Sequence, residues 1–341
     1  MQRVSLLFTL AFCSLAALHV HAADTRAEFL TLIKHDRVAL APTVATWPVT
    51  NGVAQFHFSF AADTSQRVTG VLMKDERSRG RRPVVVALHG TGGSKTNLFA
   101  LCRKLATNGF VAVAMDGRHH GERRGSGKGT EAYQDAIVSA WRDAQEHPLY
   151  YDTVWDVMRL VDYLQTRKDV DAKRNGLIGI SKGGIEAYLA AAAEPRIAVV
   201  VPCLGVQSFR WALKHDAWPA RVGTIPTAFD AAAKSAGVTS PDVAFVKSFY
   251  DRVVPGIYGA FDGPAMLPLI APRPLLVING DSDSLTPLPG LKECTDAAQP
   301  AYVAAGAEDR VAVRIQENTG HQVTPDSERT AIEWFVRWLK P

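Results

Sequence analysis

Six short, largely apolar and β-branched runs recur along this chain: Val84–Leu88, Phe110–Met115, Leu177–Ile180, Ile197–Val201, Leu275–Ile278 and Val311–Ile315, the last broken only by Arg314. A strand apolar at every position must be covered on both faces, which in a globular chain means a mainly parallel sheet between layers of helices. The segments between the runs have helical spacing. Ser94 stands as a cap ahead of Leu98, Leu101, Cys102 and Leu105, and Asp152 precedes Val154, Val157, Leu160, Val161 and Leu164. Residues 184–193 are alanine-rich up to Pro195, and a last helix from about Asp326 carries Ile332, Phe335, Val336 and Leu339 on one face. This alternation predicts an α/β fold with helices on both faces of a mainly parallel sheet. Upstream, Val53–Phe60 alternates as a strand buried on one face, and Val68–Met73 reads as another.

Hydrophobic residues make up 47% and charged residues 21% of the 341, which supports a sizeable core and excludes a disordered chain. The net charge of +4 is too weak a field to argue for nucleic acid. Residues 1–22 read as a signal peptide, with Arg3, the apolar run Leu6–Leu18 and the small-x-small site Val20-His21-Ala22. Phe12 before Cys13 argues against lipid attachment. The expected product is residues 23–341, secreted or periplasmic, with no membrane span left after cleavage. Cys102, Cys203 and Cys294 then allow at most one bridge, and Cys102 and Cys203 are expected as buried free thiols. Residues 206–270 hold Trp211, Trp218, Phe229, Phe249, Tyr250 and Phe261 and no clean strand run. They are expected to form a helical, lid-like insertion over one end of the sheet.

Chemistry concentrates where strands end. Gly179-Ile180-Ser181-Lys182-Gly183 follows one buried run and opens a helix, the strand–turn–helix setting that presents a nucleophilic serine. The Lys182 backbone N–H at the helix start is a candidate oxyanion donor. A second candidate is the Thr91 N–H, in His89-Gly90-Thr91-Gly92-Gly93 after the Val84–Leu88 run. His89 reads as a hydrogen-bonding support under that loop. A serine needs a base, and the base an acid. Asp281 or Asp283 follows the fifth run, and His321 follows the sixth, giving the order Ser, Asp, His. Gly90–Gly93 lacks dinucleotide spacing, so no cofactor is implied, and no carboxylate or cysteine spacing completes a metal site around His119 and His120.

These motifs resemble an α/β-hydrolase, in the branch of dienelactone-hydrolase-like, acetyl-xylan-esterase-like and prolyl-oligopeptidase-like catalytic domains. The likeness rests on residues 89–93, Asp116-Gly117-Arg118-His119-His120-Gly121, Gly179–Gly184, Gly280-x-x-Asp283 with Pro287, and Gly320-His321. In that family the acid sits three residues after the glycine, which implies Asp283 rather than Asp281. The family's D-x-R-G-x-G loop is altered here by His119 and His120, which with Trp211 are candidate pocket residues. Ile180-Ser181-Lys182-Gly183 is also similar to serine acyl-CoA thioesterases.

The expected function is an exported serine hydrolase that cleaves carboxylic esters, short-chain acyl or carbohydrate esters foremost, through Ser181, His321 and Asp283. A peptidase remains as an alternative, although the residues ahead of Val84 are too few for a gating propeller. An acyl thioesterase would use the same residues, and export argues against coenzyme A substrates. A catalytically silent binding module is the non-enzymatic alternative, against which the full set of Ser, His, Asp and glycine loops argues. The acyl and alcohol groups and the oligomeric state are not legible.

Overall fold

The computed structural model describes residues 23–340, so the signal-peptide reading and Cys13 lie outside the described residues. A helix, α1, covers residues 23–33. Nine strands follow: β1 (Thr43–Thr50), β2 (Val53–Ala61), β3 (Arg67–Asp75), β4 (Arg82–Leu88), β5 (Val111–Met115), β6 (Val170–Ile180), β7 (Ile197–Cys203), β8 (Leu275–Gly280) and β9 (Val311–Gln316). They form one sheet in the order β1-β2-β3-β5-β4-β6-β7-β8-β9. β1, β2, β3 and β5 pair antiparallel in succession, and every pairing from β5 through β4 to β9 is parallel.

The runs in β4 to β8 are two-faced as the sequence suggested, whereas β9, an edge strand that carries Arg314, has only Gln316 buried. In β4, Val84, Val86 and Leu88 pack into one core layer, and Val85 and Ala87 into the other. α2 (Phe99–Thr107) and α12 (Pro325–Leu339) cover the second layer. α3 (Glu131–Asp143), α4 (Tyr151–Thr166) and α5 (Lys182–Ala193) cover the first. Ser94 caps a 3-10 turn, Lys95–Leu98, that leads into α2.

Two upstream details depart from expectation. β1 carries no buried residue and contains Pro48, so it has no hydrophobic pattern to read; it is an exposed edge strand. In β2 the buried face switches midway, with Val53 and Gln55 buried on one side and Phe58 and Phe60 on the other. Phe58 lies against Gly70 of β3, where a Cβ would come within 2.3 Å of its ring, and both phenylalanines stack on Tyr163 at 5.1 and 5.3 Å.

Between β7 and β8 the chain forms α6 (Phe209–Lys214), α7 (Trp218–Val222), α8 (Pro226–Ser235), α9 (Val243–Val253), α10 (Gly263–Met266) and a 3-10 turn, Leu267–Ile270. Its aromatics chiefly pack: Phe229, Phe249 and Tyr250 are buried, and Phe245 and Phe249 contact Trp141 of α3 at 5.8 and 5.9 Å. α11 (Leu288–Ala304) joins β8 to β9. Cys102, Cys203 and Cys294 are all buried and free. Burial pushes the Cys102 and Cys203 thiols up to about 12, so neither is a thiolate at neutral pH.

Candidate active site

The carboxyl ends of β4, β6, β8 and β9 lead into His89, Ser181, the Asp281–Asp283 turn and the His321 loop, which puts the candidate residues at one edge of the sheet. Ser181 has φ 59° and ψ −119°, a conformation an L-residue adopts only under strain. Its N–H is tied to the Cys203 carbonyl at 2.9 Å. The flanking glycines are obligatory: a Cβ on Gly179 would stand 1.9 Å from the Gly183 carbonyl oxygen, and one on Gly183 would stand 2.5 Å from that of Leu88.

Around this turn the structure brings together the three expected residues. His321 Nε2 is 2.7 Å from Ser181 Oγ, and His321 Nδ1 is 2.7 Å from Asp283 Oδ2. The Asp283 side chain is buried, whereas the His321 ring is 26% exposed, leaving an approach from solvent. Asp283 also accepts from Thr286 Oγ1 (2.6 Å) and the Leu285 N–H (2.9 Å). Burial alone would raise its carboxyl, but hydrogen bonds from His321 and Thr286 outweigh it and hold it below the usual carboxylate range. Asp281 lies on the surface and accepts from the N–H groups of Asn318 (2.8 Å) and Thr319 (3.0 Å), so it fastens the histidine loop to the acid loop.

The loop after β4 lies against the serine. A Cβ on Gly90 would be 3.3 Å from Ser181 Cβ and 3.8 Å from its Oγ. The Gly90 carbonyl accepts from His89 Nδ1–H (2.8 Å) and from the Gly93 N–H (3.1 Å). That oxygen and the Thr91 N–H belong to one trans peptide and point opposite ways, so pinning the oxygen also fixes the direction of the candidate donor. His89 Nε2 accepts from the Gly117 N–H at 3.0 Å, which requires the neutral Nδ1–H tautomer. Burial and the Lys182 ammonium push the His89 pKa down to about 4, preserving that tautomer.

Beneath this layer lies a polar cluster that the motifs did not reveal. The Lys182 side chain is buried and paired with Glu186, one turn along α5, and its Nζ lies 5.3 Å from the Tyr133 ring centroid. The i, i+4 spacing of these two charges in an otherwise apolar helix was the available signal. Asp116 accepts from the Lys95 N–H and pairs with the Lys95 ammonium, and a Cβ on Gly121 (φ 54°) would collide with its carboxylate at 2.1 Å.

His120 is buried, donates from Nδ1 to the Arg118 carbonyl (2.7 Å), and packs on His89 and Tyr133 at 5.0 and 4.4 Å. His119 has φ 60° and is partly buried. His120 therefore packs beneath His89 and the candidate oxyanion loop, whereas His119 has no such contact among the described residues. Trp211 stacks on His215 at 4.3 Å and lies against Gly290 of α11.

Burial pushes His119 down to about 4 and His120 to about 2. An unfolded chain would protonate these rings near 6.5 while the folded one keeps them neutral, so stability should fall as pH falls. For His89, held near 4, the loss is on the order of 3 kcal/mol by pH 4. His35 has the opposite sign: burial lowers its pKa, but its bond to Asp152 together with the charges of Asp152 and Asp63 raises it overall, and it offsets part of the loss. We expect the melting temperature to fall between about pH 6.5 and 4, with a shallower slope in His120→Gln. Equal slopes would show that His120 takes up no proton on unfolding.

Comparison with known proteins agrees with this architecture. The family model for acetyl xylan esterase (AXE1) matches residues 40–212. The Bacillus subtilis (strain 168) protein YtaP is 24% identical over 287 residues, covering 80% of this chain and 84% of its own. A 4-O-methyl-glucuronoyl methylesterase of Podospora anserina is 27% identical over 279 residues, 80% of this chain and 52% of that protein. Acetyl xylan esterase 1 from Thermoanaerobacterium sp. JW/SL YS485 superposes with a TM-score of 0.68 at 17% identity, over 92% of this chain and 93% of that one. The glucuronoyl esterase from Solibacter usitatus gives 0.62 at 17% identity, over 91% of each. The fold is that of the α/β-hydrolases, and the chain belongs to the acetyl xylan esterase (AXE1) family.

Proposed function

We propose that this chain is an exported serine esterase that deacylates carbohydrate esters. The observation that carries the reading is the unbroken chain from Ser181 Oγ through His321 to Asp283, 2.7 Å at each link. His321 takes the serine proton as Oγ attacks the ester carbonyl, and Asp283 holds the imidazole in the required tautomer and steadies its cation. The Thr91 and Lys182 N–H groups receive the developing oxyanion, each contributing about 3 kcal/mol to lowering the barrier. His321 returns its proton to the leaving alcohol. It then activates the water that releases the acid from Ser181.

The substrate class is supported by the family match and by relatives named for acetyl xylan and glucuronoyl esters. Among the described residues no helix is long and apolar enough to cross a membrane. Export itself rests on Arg3, the Leu6–Leu18 run and Val20-His21-Ala22. We expect the protein to hydrolyse p-nitrophenyl acetate, with kcat/KM falling at least about tenfold by the octanoate, and to release acetate from acetylated xylan. A folded protein that turned over no ester, including methyl glucuronate esters, would overturn the reading.

A further inference from the structure

Arg221, in α7 of the segment between β7 and β8, is 5% exposed. Among the described residues no carboxylate forms an ion pair with it. A buried guanidinium must be satisfied, and without a counter-ion that falls to neutral acceptors. Its Nη2 donates to the Leu285 carbonyl, its Cζ lies 5.7 Å from the Phe209 ring centroid, and its buried Nε has no partner among the described residues. Leu285 belongs to the acid loop. Its N–H donates to Asp283 Oδ1 at 2.9 Å, leaving Oδ2 for His321 at 2.7 Å. Arg221 thus grips one side of the residue whose other side orients the acid.

We propose that Arg221 is a positioning residue for the reaction: by fixing Leu285 it sets the Asp283 carboxylate against His321, and it makes the helical segment part of the catalytic frame rather than a cover alone. The proposal rests on the serine-esterase reading above. It gives a reason for a buried cation at this place. Phe209 opens α6 and Leu285 belongs to the acid loop, so one guanidinium on α7 joins two other parts of the chain. A displacement of the acid by a fraction of an ångström weakens its hold on the imidazolium without touching the substrate.

The test compares wild type, Arg221→Met and Arg221→Lys, with Ser181→Ala as the blank. Steady-state hydrolysis of p-nitrophenyl acetate is followed from pH 5 to 9, together with the rate of Ser181 labelling by a fluorophosphonate. Arg221→Met is expected to lower kcat about 10- to 100-fold with KM within about twofold, and to slow labelling by a similar factor. The acid limb of its kcat/KM profile should move to lower pH, because a loosely held Asp283 favours the imidazolium less. Arg221→Lys, which keeps a cation and one donor direction, should recover part of both effects.

If Arg221→Met does not fold, as judged by circular dichroism, Arg221→Lys carries the test, with a partial loss of kcat and a smaller shift of the limb expected. An unchanged kcat would overturn the proposal. A raised KM at unchanged kcat would also overturn it, assigning the guanidinium to substrate. So would a loss of kcat with an unmoved acid limb, which marks support of the fold alone. A wild type labelled at Ser181 that hydrolyses no ester would fail the esterase reading, while the labelling rates would still decide the role of Arg221.

Discussion

Ser181→Ala is expected to lower kcat for p-nitrophenyl acetate by at least about 10⁴-fold, with KM little changed. The size follows from what the oxygen does. Its Oγ is 2.7 Å from His321 Nε2 and sits on a turn that nothing but a strained backbone could present. Alanine keeps that turn and the candidate oxyanion donors, so substrate still binds, but no acyl-enzyme forms. Asp283→Asn should fall into the same range, because the asparagine oxygen would stay with the Leu285 N–H and its NH2 would then donate to His321 Nδ1, favouring the wrong tautomer. Asp281→Asn should cost less than about tenfold, since Asp281 touches only the Asn318 and Thr319 backbone and Ser282. Circular dichroism separates a missing nucleophile from a misfolded variant. Full turnover by Ser181→Ala would remove the serine mechanism.

The contrast between the two aspartates shows where the sequence is legible. Both follow β8 within three residues, and the strand pattern alone gives no preference between them. The choice depends on a turn in which Thr286 and the Leu285 N–H converge on Asp283, and that convergence lies in the three-dimensional path of a loop. Strands buried on both faces write themselves as apolar runs, so β4, β5, β7 and β8 could be located within a few residues, whereas β6 begins seven residues ahead of its run and β9 is a half-exposed edge strand. β1 could not, because neither of its faces is buried and it leaves no periodic mark. The glycines around Ser181 were legible for a stronger reason: a side chain at Gly179 or Gly183 would occupy backbone. Buried charges are the opposite case. Arg118 and Asp156 look like surface residues in sequence, since composition carries no sign of a partner up to 55 residues away.

Arg118→Met is expected to destabilise the fold by about 3–5 kcal/mol, read as a lower free energy of unfolding in urea. The Arg118 side chain is fully buried, with Nη2 2.6 Å from Asp63 Oδ2 and Nε and Nη2 each 3.2 Å from the two Asp156 oxygens. Carboxylates around it hold its pKa above the ordinary arginine value despite burial. Methionine keeps much of the volume but leaves Asp63 to Ser65 and Gln66, and Asp156 to Arg123. Desolvated charge without sufficient compensation is what makes the single substitution expensive, and replacing a whole buried pair is often far milder. Arg118→Met combined with Asp156→Leu should therefore lose less than the two single effects summed. Arg118→Lys should fall between, because an ammonium cannot span two carboxylates as a guanidinium fork does. Activity should fall with stability, since the Arg118 carbonyl anchors His120, and His120 packs beneath His89 and the candidate oxyanion loop. A loss below about 1 kcal/mol in Arg118→Met would show that water or a rearranged neighbour takes over its role, and the loop under the active site would then owe its order to Asp116 and Lys95 instead.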